Sequence, residues 1–177
     1  MMSPDDTGYT EQTIQALVAA YDAVPLHAFA GLTFHRDPEH GWVGKMTVTA
    51  PHAPGGYLHG GLVYAFIDVA ASFALEAHLG PYFYSRTVAL DVNLLRAART
   101  GSEVVFRARI ERVADGLAFV RAEAWVSIAQ GDRCIAYAQS TKRVRDRRQA
   151  PRHNDLDFQA LADQAAPATD GSSTPQS

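Results

Sequence analysis

The stretch GGYLHGGLVYAFIDVAASFALEAHLG, residues 55–80, decides the fold. It is almost wholly apolar, with glycines crowded at its start and one carboxylate, Asp68, in its middle. At 100° per residue, Leu62, Phe66, Val69 and Phe73 share one helical stripe, and Val63, Ile67, Ala70 and Ala74 share the stripe beside it. Both are dry, so the spacing predicts a buried helix over 59–79. The remaining ridge is Tyr64, Asp68, Ser72 and Glu76, spaced by four, and it holds every polar side chain in the body of the helix. The solvated edge of an ordinary amphipathic helix has the same period. One polar residue per turn is narrow for such an edge.

The start of the helix narrows the reading. His59-Gly60-Gly61 occupies the N-cap region, and no Ser, Thr, Asp or Asn stands there to accept from the first-turn N–H groups, which are expected to be free. Two glycines admit a ligand close to the backbone, and the helix dipole favours negative charge at that end. An oxyanion hole can be built this way from main chain alone. A tight strand-to-helix turn uses the same glycines, so the pair decides nothing by itself.

Outward from this helix the period changes. Ile14, Leu17, Val18 and Tyr21 mark a short amphipathic helix ending before Pro25. Residues 31–50 alternate as a half-buried strand with a shorter one before it, joined by HRDPEHG. Alternation returns at Val88, Leu90, Val92 and Leu94, at Val104, Phe106, Ala108 and Ile110, at Ala118 to Ile128, and weakly over 133–144. The links ARTGS, ADG and QGD carry turn chemistry, which predicts an antiparallel meander of four strands. The class is α+β, a curved antiparallel sheet wrapped round one long helix. The expected division is an N-terminal helical segment over 1–29, one domain over 30–145, and a polar tail over 146–177 with disorder-type composition and a weak helix at 155–165.

Composition bounds the function. A chain of 177 residues supports one domain with a real core. Its net charge of -3 gives no general attraction to nucleic acid. The N-terminus MMSPDDTGYTEQ lacks a basic, apolar leader, and no apolar run is expected to approach the ~20 residues of a membrane span. Cys134 is the single cysteine, and neither Cys-x-x-Cys nor His-Glu-x-x-His occurs. A reducing compartment, no metal site and a cytoplasmic location are the expectations.

Geometry then requires a second chain. Asp68 lies eight residues beyond Gly60, about 12 Å along the axis at the helical rise. A carbonyl held at the helix start cannot also lie within ~3 Å of that carboxylate. If both groups act on one substrate, a second copy must lay its helix alongside in antiparallel sense. A two-fold dimer does so twice, giving two equivalent sites.

The segments YLHGGLVYAFIDVAAS and TVALDVNLLRAARTGSEVVFRARI resemble the hotdog-fold acyl-CoA thioesterases, especially the phenylacetate-pathway and 4-hydroxybenzoyl-CoA thioesterase branch that places its acid on the central helix. The resemblance spans roughly residues 30–145. It rests on His-Gly-Gly, an acid nine positions after the His, then Asn-x-x-Arg and a glycine turn. It implies a homodimer or dimer of dimers with the active site between subunits, acyl-CoA as substrate, and no cofactor beyond the coenzyme A of the substrate. Asp68 matches the catalytic acid, as base toward water or as nucleophile. Gly60 matches the N–H that polarises the thioester carbonyl, with His59 and Gly61 shaping its turn. Ser72 matches a hydroxyl that positions water or the carboxylate, and Asn93 and Arg96 fall beside the pantetheine and nucleotide. Tyr64 is a candidate for the acyl pocket.

One position departs from the family pattern. Six residues before the motif His, where Asn or Gln often helps hold the carbonyl or water, stands Ala53. His52 is a candidate to take that role, or else an ordinary exposed loop histidine. Thioester hydrolysis to free acid and coenzyme A is the expected activity. A non-catalytic acyl-CoA-binding or sensing protein is the alternative that Ala53 motivates. A dehydratase on the same fold fits the His-to-acid spacing poorly. Arg143, Arg145, Arg147 and Arg148 form a basic run suited to phosphate or simply to solvent, His27 is read as surface or incidental, and Cys134 as a buried thiol.

Overall fold

The computed structural model describes residues 11–129 and 131–146. The elements run α1 (Glu11–Asp22), α2 (Pro25–Ala30), β1 (Thr33–Asp37), β2 (Gly41–Thr47), α3 (Gly60–Leu79), β3 (Phe83–Leu94), β4 (Glu103–Ala114), β5 (Leu117–Ile128) and β6 (Gly131–Asp146). The expected tail beyond Asp146 and its weak helix lie outside the described residues. Pro25 does not merely end α1: it opens α2 from its first turn, where the missing N–H costs nothing.

Six antiparallel strands form one sheet in the order β1-β2-β4-β5-β6-β3. Only β4, β5 and β6 are the expected meander. The third strand crosses to the far edge and pairs with β6, which corrects the reading of four strands in succession. The reason lies in the 95–102 link, whose backbone bonds are made elsewhere. Leu95 and Arg96 donate to Ile135 O, Thr100 to Gly56 O and Gly101 to Val48 O, while Ala98 O accepts from Leu58. Turn chemistry in ARTGS marks a reversal but cannot distinguish a hairpin from a crossover.

α3 packs on the inner face of the sheet. Phe66, Ile67, Phe73 and Leu75 are fully buried, opposite Val104, Phe106, Ala118, Val120, Ala122, Ala124, Ala136 and Ala138. Alanines along β5 and β6 let the sheet approach the helix closely, and the large rings fill the space between. Phe73 stacks on Phe34 at 4.1 Å, and Phe66 meets Phe106 edge-on at 6.0 Å. Each such ring contributes about 2 kcal/mol by leaving water. Gly80, at φ 95°, ends the helix by donating to Glu76 O.

α3 corrects one expectation directly. It has 20 residues and a mean hydropathy of 1.5, so by length and composition it is long and apolar enough to cross a membrane. Here the sheet wraps it, and half of that window is buried within the protein.

Among the described residues β3 is an edge strand, with β6 as its neighbour in the sheet. Along it Val88 is 59% exposed, and Leu94 and Leu95 are about half exposed.

Candidate active site

The polar ridge of α3 is not a solvent face. Its side chains grade from the exposed Tyr64 to the buried Glu76, because β3 runs alongside it. The Tyr64 hydroxyl donates to Val92 O (3.0 Å), and Glu76 Oε1 accepts from the N–H and hydroxyl of Ser85 (2.9 and 3.1 Å). Between them, the Asp68 carboxylate accepts from the Thr87 hydroxyl, 2.8 Å from Oδ2 and 3.0 Å from Oδ1.

Two features of the strands bring a hydroxyl and an amine to Asp68. The first is a bulge between Thr87 and Ala89, which adds one residue, turns Val88 outward and sets Thr87 against α3. The second is the alternation of β6, which places Lys142 on the inner face directly opposite Thr87 on β3 and Ala118 on β5. The Lys142 side chain is 0% exposed and its Nζ lies 2.6 Å from Asp68 Oδ1. It also donates to Ser72 Oγ and Thr87 Oγ1, both at 2.8 Å, and to the main-chain O of Asp68 at 3.1 Å. Burial pushes the Lys142 ammonium below the ordinary lysine range, while the hydrogen bond and charge of Asp68, and the charge of Glu76, pull it back up. The Asp68 side chain keeps 28% of its surface in solvent. The arrangement is a carboxylate gripped from inside and open outside.

The helix start differs from expectation. His59 is itself the N-cap, and its Nδ1 accepts from the Gly61 N–H at 3.0 Å. Leu62 N–H bonds to His59 O. The Gly60 N–H takes no partner among the described residues. The set of free donors therefore shrinks to one. A Cβ on Gly60 would meet Leu94 Cδ1 at 2.9 Å, so the end of β3 closes over this turn.

His52 is not an exposed loop side chain. It is buried, its Nδ1 accepts from Thr49 N–H (3.3 Å), and its Nε2 donates to Phe29 O (3.1 Å). Both ring nitrogens are thereby spent within the chain, and the neighbouring Ala53 is buried among apolar residues. Asn93 and Arg96 are exposed at the far end of β3, bonded to Asp91 Oδ1 and Cys134 O, and neither touches the Asp68 cluster. Two corrections fall outside the site. His27 is buried, not superficial, with Nδ1 2.6 Å from Tyr21 O. Cys134 is only partly buried, and burial raises its thiol.

The structure thus joins Asp68 and Ser72 through Lys142, keeps His59, Gly60 and Gly61 together two turns earlier, and leaves His52 apart. Thr87 and Lys142 are the residues that sequence reasoning missed.

A family model, the Thioesterase superfamily, matches residues 55–128, which span both the helix start and the Asp68 ridge. The matched segment lies on a hotdog fold. A thioesterase family protein from Silicibacter pomeroyi superposes with a TM-score of 0.66 at 22% identity, covering 75% of this chain and 97% of that one. The Escherichia coli PaaI protein from the phenylacetic acid degradation operon gives 0.62 at 18% identity, covering 73% and 90%. A Streptococcus mutans protein bound to acetyl CoA gives 0.56 at 16% identity, covering 65% and 89%. No curated protein sequence matches the chain. The hotdog sheet and its central helix are shared with all three structures.

Proposed function

We propose that this protein is an acyl-CoA thioesterase that hydrolyses an acyl or aryl-acyl thioester to the free acid and coenzyme A, at a site shared by two protomers. The observation that carries the reading is a partly exposed carboxylate on a segment that matches the Thioesterase superfamily, in the same helix as a Gly60 N–H that takes no partner among the described residues. About 12 Å of helix separates the two groups in one chain. Among the described residues β3 is an edge strand, and Val88 and Leu94 on it with Leu95 just beyond are exposed, an apolar surface suited to meet a second copy and so bring one helix beside the other.

In this reading the Gly60 N–H of the facing protomer binds the thioester oxygen. Asp68 acts either as base or as nucleophile. As base it takes a proton from water whose oxygen attacks the carbonyl carbon; the tetrahedral intermediate collapses, the C–S bond breaks, and the thiolate takes the proton held by Asp68 and leaves as the thiol. Water is the only co-reactant, and coenzyme A is part of the substrate. Asp68→Asn is the test. It retains an oxygen to accept from Lys142, and a 10²-fold or greater loss of turnover across aryl, short-chain and long-chain acyl-CoA is expected. Hydrolysis near the wild-type rate would overturn the assignment.

A second reading, acyl-CoA binding without efficient turnover, is favoured by one observation. Ala53 offers no polar group, and His52 beside it is already committed to Thr49 and Phe29. Calorimetry showing tight acyl-CoA binding, with no thiol released on the same timescale, selects this reading.

A further inference from the structure

We propose that Lys142 is the positioning residue of this site: it holds the Asp68 carboxylate in one charged, fixed orientation and leaves Oδ2 to meet the substrate-side donor. The inference rests on the reading of Asp68 as the catalytic acid, and it assigns a role to a residue on another element, 74 positions away in the chain.

A lysine with no exposed surface, set between a sheet and a helix, is costly as a stability device. Desolvating each ion of such a pair costs several kcal/mol, and a well-packed apolar side chain of similar volume often serves stability as well or better. The charge is tolerable only where every ammonium proton has an acceptor. Here three protons face four oxygens: Asp68 Oδ1, Asp68 O, Ser72 Oγ and Thr87 Oγ1. Two of those oxygens belong to one residue. By gripping both the main chain and the side chain of Asp68, Lys142 restricts its rotamer more tightly than a single contact would.

Thr87 completes the restraint. Its oxygen accepts from Lys142, so its single proton is directed at the carboxylate and is shared between Oδ1 and Oδ2. Oδ1 carries the ammonium contact, and Oδ2 retains acceptor capacity for a water or a substrate group. Ser72, matched in the family to a hydroxyl that positions water or the carboxylate, instead receives a proton from Lys142 and anchors the amine to the helix one turn below the acid.

The charged and polar groups facing the amine are Asp68, Ser72 and Glu76 from α3 and Thr87 from β3, while β5 presents Ala118. Both carboxylates favour the ammonium; burial, the larger influence, opposes it. The clamp therefore opens below the ordinary lysine range as pH rises, when the amine becomes neutral.

The test uses the full chain and two readouts. In the first, Lys142→Met and Lys142→Gln are compared with wild type on an acyl-CoA substrate. A 10- to 100-fold loss in kcat with little change in KM is expected, together with disappearance of an alkaline fall in kcat that wild type shows. Wild-type kcat and an unchanged pH profile in a folded Lys142→Met protein overturn the positioning role while leaving the proposed function standing. The second readout needs no turnover and no change at Lys142. The ¹³Cε resonance of Lys142 is titrated in wild type and in Asp68→Asn, where loss of the partner charge should move the midpoint to still lower pH. An identical midpoint in both proteins overturns the pairing, even if wild type proves inert toward every acyl-CoA and the function reading fails on its own account.

Discussion

The Nδ1 of His59 stands 3.0 Å from the N–H of Gly61 and accepts its hydrogen bond, so the helix that carries Asp68 is capped by a residue of its own motif. A cap of this kind is worth about 1 kcal/mol. His59→Ala should lower the unfolding free energy in urea by that amount, and His59→Asn, which places a side-chain oxygen at the same position, should recover most of it. If the two variants are equally destabilised, the cap is not what His59 provides.

The helix, its buried stripes and its polar ridge are visible in the sequence because helical period and burial act on the same residues. Of the cluster around Asp68, the Thr87 hydroxyl is less visible, for a physical reason. Thr87 reaches the inner face through a bulge, and an extra residue defeats an alternation rule that would set Val88 inside. Lys142 is legible by period alone: Ala136, Ala138, Ser140, Lys142 and Val144 alternate inward along β6, which sets a lysine at a core position. The position of β3 at the sheet edge could not be read locally, since it depends on where the amides of residues 95–102 find acceptors. His27 and His52 read as surface groups because their partners are main-chain oxygens, which leave no trace in sequence.

Thr87→Val tests the bridging hydroxyl. The substitution keeps the branched shape but removes one of the four oxygens around a buried ammonium and one donor to the carboxylate. A loss of about 1–3 kcal/mol in stability is expected, with Thr87→Ser close to wild type. Equal stability of all three proteins in denaturant titration would show that the Thr87 hydroxyl is not needed to satisfy Lys142.

His27 should give the fold an acid-side weakness. Burial holds its imidazole below the ordinary histidine value of 6.5, and the bond to Tyr21 O only partly offsets this. In the window between the folded value and 6.5 the unfolded chain binds more protons, so stability falls as pH falls through that window and levels off below it. The slope from one such group cannot exceed about 1.4 kcal/mol per pH unit. Subtracting the pH dependence of His27→Gln from that of wild type should isolate this contribution. A difference that is flat from pH 7 to pH 5 would remove His27 as its source.

The edge of β3 offers the last test. Among the described residues β3 pairs in the sheet with β6 alone, and its exposed Val88 presents apolar surface at a sheet edge, which natural sheets seldom leave uncovered. The proposed function covers this edge with a second copy, and the shared site depends on it. Val88→Lys places a charge on that edge, away from the Asp68 cluster because the bulge turns residue 88 outward. Sedimentation should show wild type as a dimer or a dimer of dimers and the variant shifted toward monomer, with acyl-CoA hydrolysis falling in proportion to the dimer lost. A monomeric variant that keeps full activity would place both the carboxylate and the carbonyl donor within one chain. The 12 Å along α3 leaves no room for that arrangement unless a donor other than Gly60 is used.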